Sequence, residues 1–216
     1  MKRYPAIAIL LFCALPLAAQ IAMPAKDATH FRETSTLKPP AGARIAIVEF
    51  EDLECPYCAY AAPMVRAAAK QYGIPLVHHD SLIPSHHWSR AAAIDARYLE
   101  DKVSAQVADD FRLDVFKNQN RIANRDDLQN FAQKWFKAHG QAMPFLIDPS
   151  NHCAAQVQAD CDLSDRLGVA HTPTIVVVTA KEWIEVTNPT QLHAAIERAE
   201  LDAHLSLPAK PSPAHK

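Results

Sequence analysis

The feature that most restricts the fold is a covered strand running into a helix that begins at Cys55-Pro56-Tyr57-Cys58. Residues 44–50, RIAIVEF, are β-rich and mostly apolar, the pattern of a strand buried on both faces. EDLE makes the connection. CPYCAYAAPMVRAAAKQY then reads as helix, dense in alanine and stopped by Gly73. A strand covered on both faces needs sheet neighbours and flanking helices, so the chain is α/β. The junction also places Cys55 where a helix start leaves backbone N–H groups unpaired and positive. A thiolate gains from both, so the Cys55 pKa is expected below the free value of about 8.5. Cys58 follows about one turn later and reaches the same sulfur. Cys55 is therefore the expected attacking residue and Cys58 the resolving one. Pro56 suits a first helical turn, where a missing N–H costs nothing. Tyr57 is expected to be partly exposed, tuning the thiolate and shaping a substrate surface.

The rest of the chain supplies the partners. IPLVHH (74–79) is a second short strand, and a helical stretch from about Ser85 to Gly140 carries three apolar-rich segments. Asn124 is the expected cap of the third, with Asp126 and Asp127 in its first turn. Two short helices are expected next, one through about Gln158 and one over roughly 161–167, ending at Gly168. VAHTPTIVVVT and EWIEVT make a hairpin around Ala180-Lys181, and a last helix starts near Thr190. The order is strand, helix, strand, helical block, hairpin, helix. That is an α/β thioredoxin fold with an inserted all-helical domain. The expected boundaries are a leader over 23–43 with a short edge strand near Phe31 to Leu37, first core part 44–80, helical insertion 81–167, and second core part 168–205. Three prolines mark 206–216 as a disordered tail.

Two further residues carry chemistry. Glu49 is an acid in an otherwise apolar strand, six residues before Cys55; buried, it would have a raised pKa and could relay protons to Cys58. His171-Thr172-Pro173-Thr174 precedes a strand, where proline needs a special reason. A cis Thr172–Pro173 bond would turn the chain sharply and expose the Thr172 backbone beside Cys55, ready to hold an extended peptide.

The first segment reads as an export signal over residues 1–22. Lys2 and Arg3 precede an apolar stretch, and Ala18, Ala19 and Ala22 offer cleavage sites. Cys13 leaves with it. Cys55, Cys58, Cys153 and Cys161 remain, an even set in an oxidising compartment that allows three pairings. Cys153 and Cys161 would lie about 12 Å apart in one straight helix, beyond the roughly 7 Å limit of a disulfide. A break near Gln158–Asp160 would bring them together, and a structural disulfide is expected there; two buried free thiols are the alternative. No metal site is expected, because the second cysteine pair lacks ligand spacing. His78, His79, His86 and His87 are expected at the solvated surface, with His78 and His79 facing opposite ways along their strand. A net charge of −2 gives no electrostatic case for nucleic acid.

IAIVEFEDLECPYC (45–58) and LGVAHTPT (167–174) resemble the DsbA-like family of periplasmic thiol–disulfide oxidoreductases. The resemblance covers roughly residues 44–201 and implies a periplasmic protein; because no other long apolar run follows the first segment, the mature chain is expected to be soluble, and a monomer with no cofactor is expected. It implies that Cys55 attacks, Cys58 resolves, Glu49 takes the place of the family's buried acid, and Thr172-Pro173 forms the cis-proline loop. The implied partners are reduced exported proteins and a quinone-linked membrane reoxidase, of the DsbB or vitamin K epoxide reductase type. Two residues depart from the family pattern. Tyr57 stands where strongly oxidising members have histidine, and His171 stands where many relatives have glycine. His171 is expected either near the sulfurs, or narrowing the groove, or simply facing solvent.

Overall fold

The computed structural model describes residues 31–205. The expected signal segment with Cys13, the start of the leader and the tail 206–216 lie outside the described residues.

Among the described residues, four strands form one sheet: β1 (Ile45–Glu51), β2 (Leu76–Asp80), β3 (Thr174–Thr179) and β4 (Trp183–Val186), in the order β2-β1-β3-β4. β1 and β2 are parallel, which requires a crossover, and α1 (Pro56–Tyr72) supplies it. β3 runs antiparallel to β1, and β4 antiparallel to β3. Register sets the site: Glu49 lies opposite His78 and Glu51 opposite Asp80. Phe50 lies opposite Thr174, the first residue of β3.

Every residue of β1 is buried, as its composition demands. Ile45 and Ile47 pack on Ala61 and Val65 of α1 and on Leu192 and Ile196 of α6 (Leu192–Leu205). Ala46, Val48 and Phe50 face the other way, onto Leu37 and onto Leu167 at the end of α5 (His152–Leu167). Phe50 is fully buried, and truncating such a side chain to alanine costs about 3–5 kcal/mol.

The inserted helices are α2 (Ser89–Lys102), α3 (Ala105–Asn118) and α4 (Arg125–Ala138). Trp88, Leu99, Phe111, Trp135 and Phe136 form their core, and Cys55, Cys58 and Ala62 pack into the same cluster. The two cysteines thus sit at the seam between sheet layer and helical layer. Asn124 caps α4 by accepting from the Asp126 and Asp127 N–H groups, as its sequence position implies. α1 ends on Gly73 at φ +62°, a conformation that favours glycine.

Two expectations are corrected. The segment from Phe31 to Leu37 is no strand. Thr34–Thr36 form a single short turn of helix, Phe31 meets Trp183 edge-on at 4.8 Å and Leu37 is buried. The expected break after Gln158 is also absent, because α5 is one continuous helix. Cys153, Val157, Cys161 and Ser164 follow helical spacing down one side of it, with Cys153, Val157 and Ser164 buried. Two thiols eight residues apart on one helix are roughly 12 Å apart along its axis. The expected Cys153–Cys161 disulfide is therefore excluded, and both are free thiols.

Candidate active site

Cys55 is the N-cap of α1, with extended backbone and Pro56 at the first helical position. Cys55 is 3% exposed and Cys58 fully buried, while Tyr57 between them is 73% exposed. Both cysteines are thiols. The Cys55 pKa is lowered from its ordinary 9.0 to about 6. The hydrogen bond from the Cys58 thiol is the largest cause; burial opposes it, and Thr172 and the backbone N–H groups of Cys58 and Tyr57 add to it. Cys58 moves the opposite way, well above the usual thiol range, through burial first and then the neighbouring Cys55. One sulfur is a ready nucleophile near neutral pH; the other holds its proton. That is the asymmetry a two-thiol exchange centre requires.

The Thr172–Pro173 bond is cis. The Thr172 carbonyl accepts from the Cys55 thiol at 3.4 Å, so the loop and the cysteine are in contact, as the sequence reading expects. A groove of about 900 Å³ opens here, lined among others by Cys55, Pro56, Tyr57, His171 and Thr172. His171 is exposed. Its ring meets the Pro173 carbonyl at 3.2 Å, the Thr174 hydroxyl at 3.3 Å and Glu185 at 3.9 Å. It borders the groove, and none of these contacts is to a sulfur.

Glu49 is fully buried, and its pKa is pushed up to about 8. Burial is the main cause, Glu51 adds repulsion, and Arg66 opposes. Glu49 therefore holds a proton at neutral pH. It is not alone: Glu51, two residues on and on the same face of β1, is equally buried. Around the pair stand Arg66 of α1, 4.0 Å from each, and Arg112 of α3, which donates to Glu51 at 3.0 Å and to Asp80 at 2.8 Å. His78 Nδ1 lies 3.6 Å from Glu49 and 3.3 Å from Glu51.

Glu49, Glu51 and His78 offer ligand atoms within 4.8 Å of one another, which in other surroundings would suit a metal ion. Here Arg66 and Arg112 already supply the positive charge, so the set does not fit a cation well.

The histidines are otherwise than expected. His78 and His79 do face opposite ways, but neither is a freely solvated side chain. His79 stacks on Phe50 at 5.1 Å and meets Asp160 at 2.8 Å. His86 lies 3.0 Å from Asp52. Only His87 of the four is exposed.

Sequence reading also passed over the residues that hold the loop before Cys55. The Asp52 N–H donates to the Cys58 sulfur at 3.5 Å. The Asp52 carboxylate accepts from the N–H groups of Glu54 and Ile83, at 2.8 and 2.7 Å. Glu54 accepts from the Trp88 and Ser89 N–H groups, capping α2. The Gln119 amide donates to the carbonyls of Leu53 and Cys55. The signal was present: three acids in EDLE cannot all be solvated in so short a link between buried elements.

A family profile described as thioredoxin matches residues 41–198. No curated protein matches the chain in sequence. Among solved structures, oxidised BdbD from Bacillus subtilis is similar at 18% identity, covering 81% of this chain and 96% of its own, with a TM-score of 0.63. The thiol-disulfide exchange protein alpha-DsbA2 from Wolbachia pipientis is similar at 16% identity, covering 74% and 84%, with a TM-score of 0.60. Pseudomonas aeruginosa DsbA2 is similar at 18% identity, covering 74% and 91%, with a TM-score of 0.55. At these identities the likeness is one of fold: a thioredoxin core carrying inserted helices.

Proposed function

Since the chain belongs to the thioredoxin family, we propose that it is a periplasmic thiol–disulfide oxidoreductase that introduces disulfides into exported proteins by exchange at Cys55–Cys58. The observation that carries this reading is the opposed pair of thiols at the head of α1. Cys55 is lowered to about 6, Cys58 is raised, and the carbonyl of Thr172, the residue before the cis-proline, stands 3.4 Å from the attacking sulfur.

In the oxidised enzyme a substrate thiolate attacks the Cys55 sulfur. The Cys55–Cys58 bond breaks, a mixed disulfide forms, and Cys58 leaves as a thiolate that takes a proton. A second substrate thiolate attacks the substrate sulfur of that mixed disulfide and expels the Cys55 thiolate. The substrate is oxidised, and the enzyme is left as the dithiol. The low Cys55 pKa makes it a good leaving group and stabilises the reduced enzyme, which favours oxidation of the substrate. The Thr172 backbone, with Tyr57 and His171 at the groove's rim, supports an extended substrate segment. Glu49 serves as proton store for Cys58. The partners are reduced exported chains and a quinone-linked membrane reoxidase of the DsbB or vitamin K epoxide reductase type.

A second reading, reductase or isomerase, draws on Tyr57, which adds no positive charge beside the thiolate. Oxidative refolding tests the first. The oxidised protein should restore activity to a reduced, unfolded disulfide enzyme in stoichiometric amount, and Cys55→Ser should abolish this. Full activity in Cys55→Ser would overturn the mechanism.

A further inference from the structure

We propose that His78 and Asp109 form the proton-exchange route between the buried Glu49–Glu51 pair and the solvent groove outside β2. The inference rests on the exchange chemistry proposed for Cys55 and Cys58.

Cys58 is fully buried, so a proton leaving its sulfur needs an internal acceptor. Glu51 is the member of the pair whose charge acts on the Cys58 thiol, and the N–H of the next residue, Asp52, donates to the Cys58 sulfur at 3.5 Å. Neither Glu49 oxygen, nor Glu51 Oε2, nor His78 Nδ1 makes a hydrogen bond to any described residue, although all are buried. Arg66 stays at ion-pair distance, 4.0 Å, from both acids, and of the pair's oxygens Arg112 engages Glu51 Oε1 alone, at 3.0 Å. Arg66 Nη2 is buried without a hydrogen bond as well, 4.0 Å from Glu51 Oε2, and His78 Nδ1 lies 3.6 Å from Glu49 Oε2. Buried polar atoms without partners are costly and mark places where something must move.

His78 reaches from this cluster to the outside. Its Nδ1 lies 3.3 and 3.6 Å from the two acids, and its Nε2 lies 3.1 Å from Asp109 Oδ1. A groove of about 970 Å³, lined by Arg66, His78, Asp109 and Arg112 among others, opens on that side. Imidazole can take a proton on one nitrogen and release another from the opposite one. The charged groups that face the cluster are Arg66 from α1, His78 and Asp80 from β2, Arg97 from α2, and Asp109 and Arg112 from α3.

In an enzyme mixed disulfide, Glu49 already carries one proton, so the Cys58 thiol gives its proton to the remaining charge of the pair, on Glu51. The Cys58 thiolate attacks the Cys55 sulfur, the bond to the partner sulfur breaks, and the partner leaves as a thiolate. The proton on the pair passes to His78 Nδ1, and the Nε2 proton leaves past Asp109 to water in the groove. His78 and Asp109 touch no reacting sulfur and are positioning residues.

Mixing the reduced full chain with oxidised glutathione resolves two phases. The bimolecular one is Cys55 attack; the one independent of glutathione concentration is closure by Cys58. His78→Gln should slow closure by roughly 10- to 100-fold near neutral pH, at or below the low end for a positioned proton-transfer group. The bimolecular phase should persist, and added imidazole should restore closure through the groove. Asp109→Asn, on a partly exposed side chain, should slow closure in the same sense, and it decides the matter if His78→Gln does not fold. Closure at the normal rate in both variants, or slowed closure that imidazole does not restore, overturns the route. Absence of the bimolecular phase in the unaltered protein overturns the exchange reading itself, and this inference with it.

Discussion

Replacing Cys58 by alanine tests what holds the Cys55 thiolate. Lowering Cys55 from 9.0 to about 6 corresponds to a preference for the charged form on the order of 4 kcal/mol. The hydrogen bond from the Cys58 thiol is the largest single contribution. A hydrogen bond to a charged acceptor is worth about 1.5–3 kcal/mol. Its loss should raise the Cys55 pKa by about one to two, to roughly 7–8. Cys58→Ser retains a donor and should fall between the two. The assay is the pH dependence of Cys55 alkylation by iodoacetamide in the single-thiol centre. Cys55 still titrating near 6 in Cys58→Ala would refute the reasoning, and would assign the stabilisation to the helix start and Thr172 instead.

Three other outcomes follow. Glu49→Gln should gain stability over the unaltered protein as pH rises. The folded pKa is raised from 4.5 to about 8, so the unfolded chain loses its proton first and native stability falls across that window. Denaturant titrations at about pH 5 and pH 8 should show the variant's advantage growing by roughly 2–4 kcal/mol; no growth would place Glu49 in a solvated, ionised state. Tyr57→His should raise the reduction potential by about 30 mV or more, a tenfold change in the exchange constant, because a histidinium favours the nearby thiolate. An unchanged potential measured in glutathione buffers at about pH 6 would show that residue 57 does not tune the centre. Finally, Cys153 and Cys161 should both be alkylated when the oxidised chain is unfolded without reductant. Recovery of a peptide bridged between them would contradict the continuous α5.

The centre was legible because its parts are local or have strong backbone signatures. A covered strand followed by CPYC fixes Cys55 at a helix start, and a proline directly before β3 marks the loop that meets it. The order of elements along the chain followed from the alternation of element types. What escaped was non-local charge. Glu51 sits at the strand end, where an acid ordinarily reaches water. Only the packing of α1 and α3 shows Arg66 and Arg112 closing over it. Two buried acids at alternate positions of a covered strand do imply cations from flanking helices, but not which ones. His78 and His79 alternate faces as read, yet α3 and α5 cover both sides. The α5 error had another source. HCAAQVQADCDLSDRL contains neither glycine nor proline, and its apolar spacing is that of one helix. An even cysteine count favours a break there, but no residue of the segment requires one.

The reduction potential of Cys55–Cys58 tests the central claim most directly. A Cys55 pKa of about 6 falls between the thiols of thioredoxin, about 7, and of DsbA, about 3.5. The potential should accordingly lie between about −270 and about −120 mV when the oxidised chain is equilibrated with glutathione and the two states are counted by alkylation. A value below about −300 mV, the range of inert structural disulfides, would contradict an exchange centre at Cys55 and Cys58.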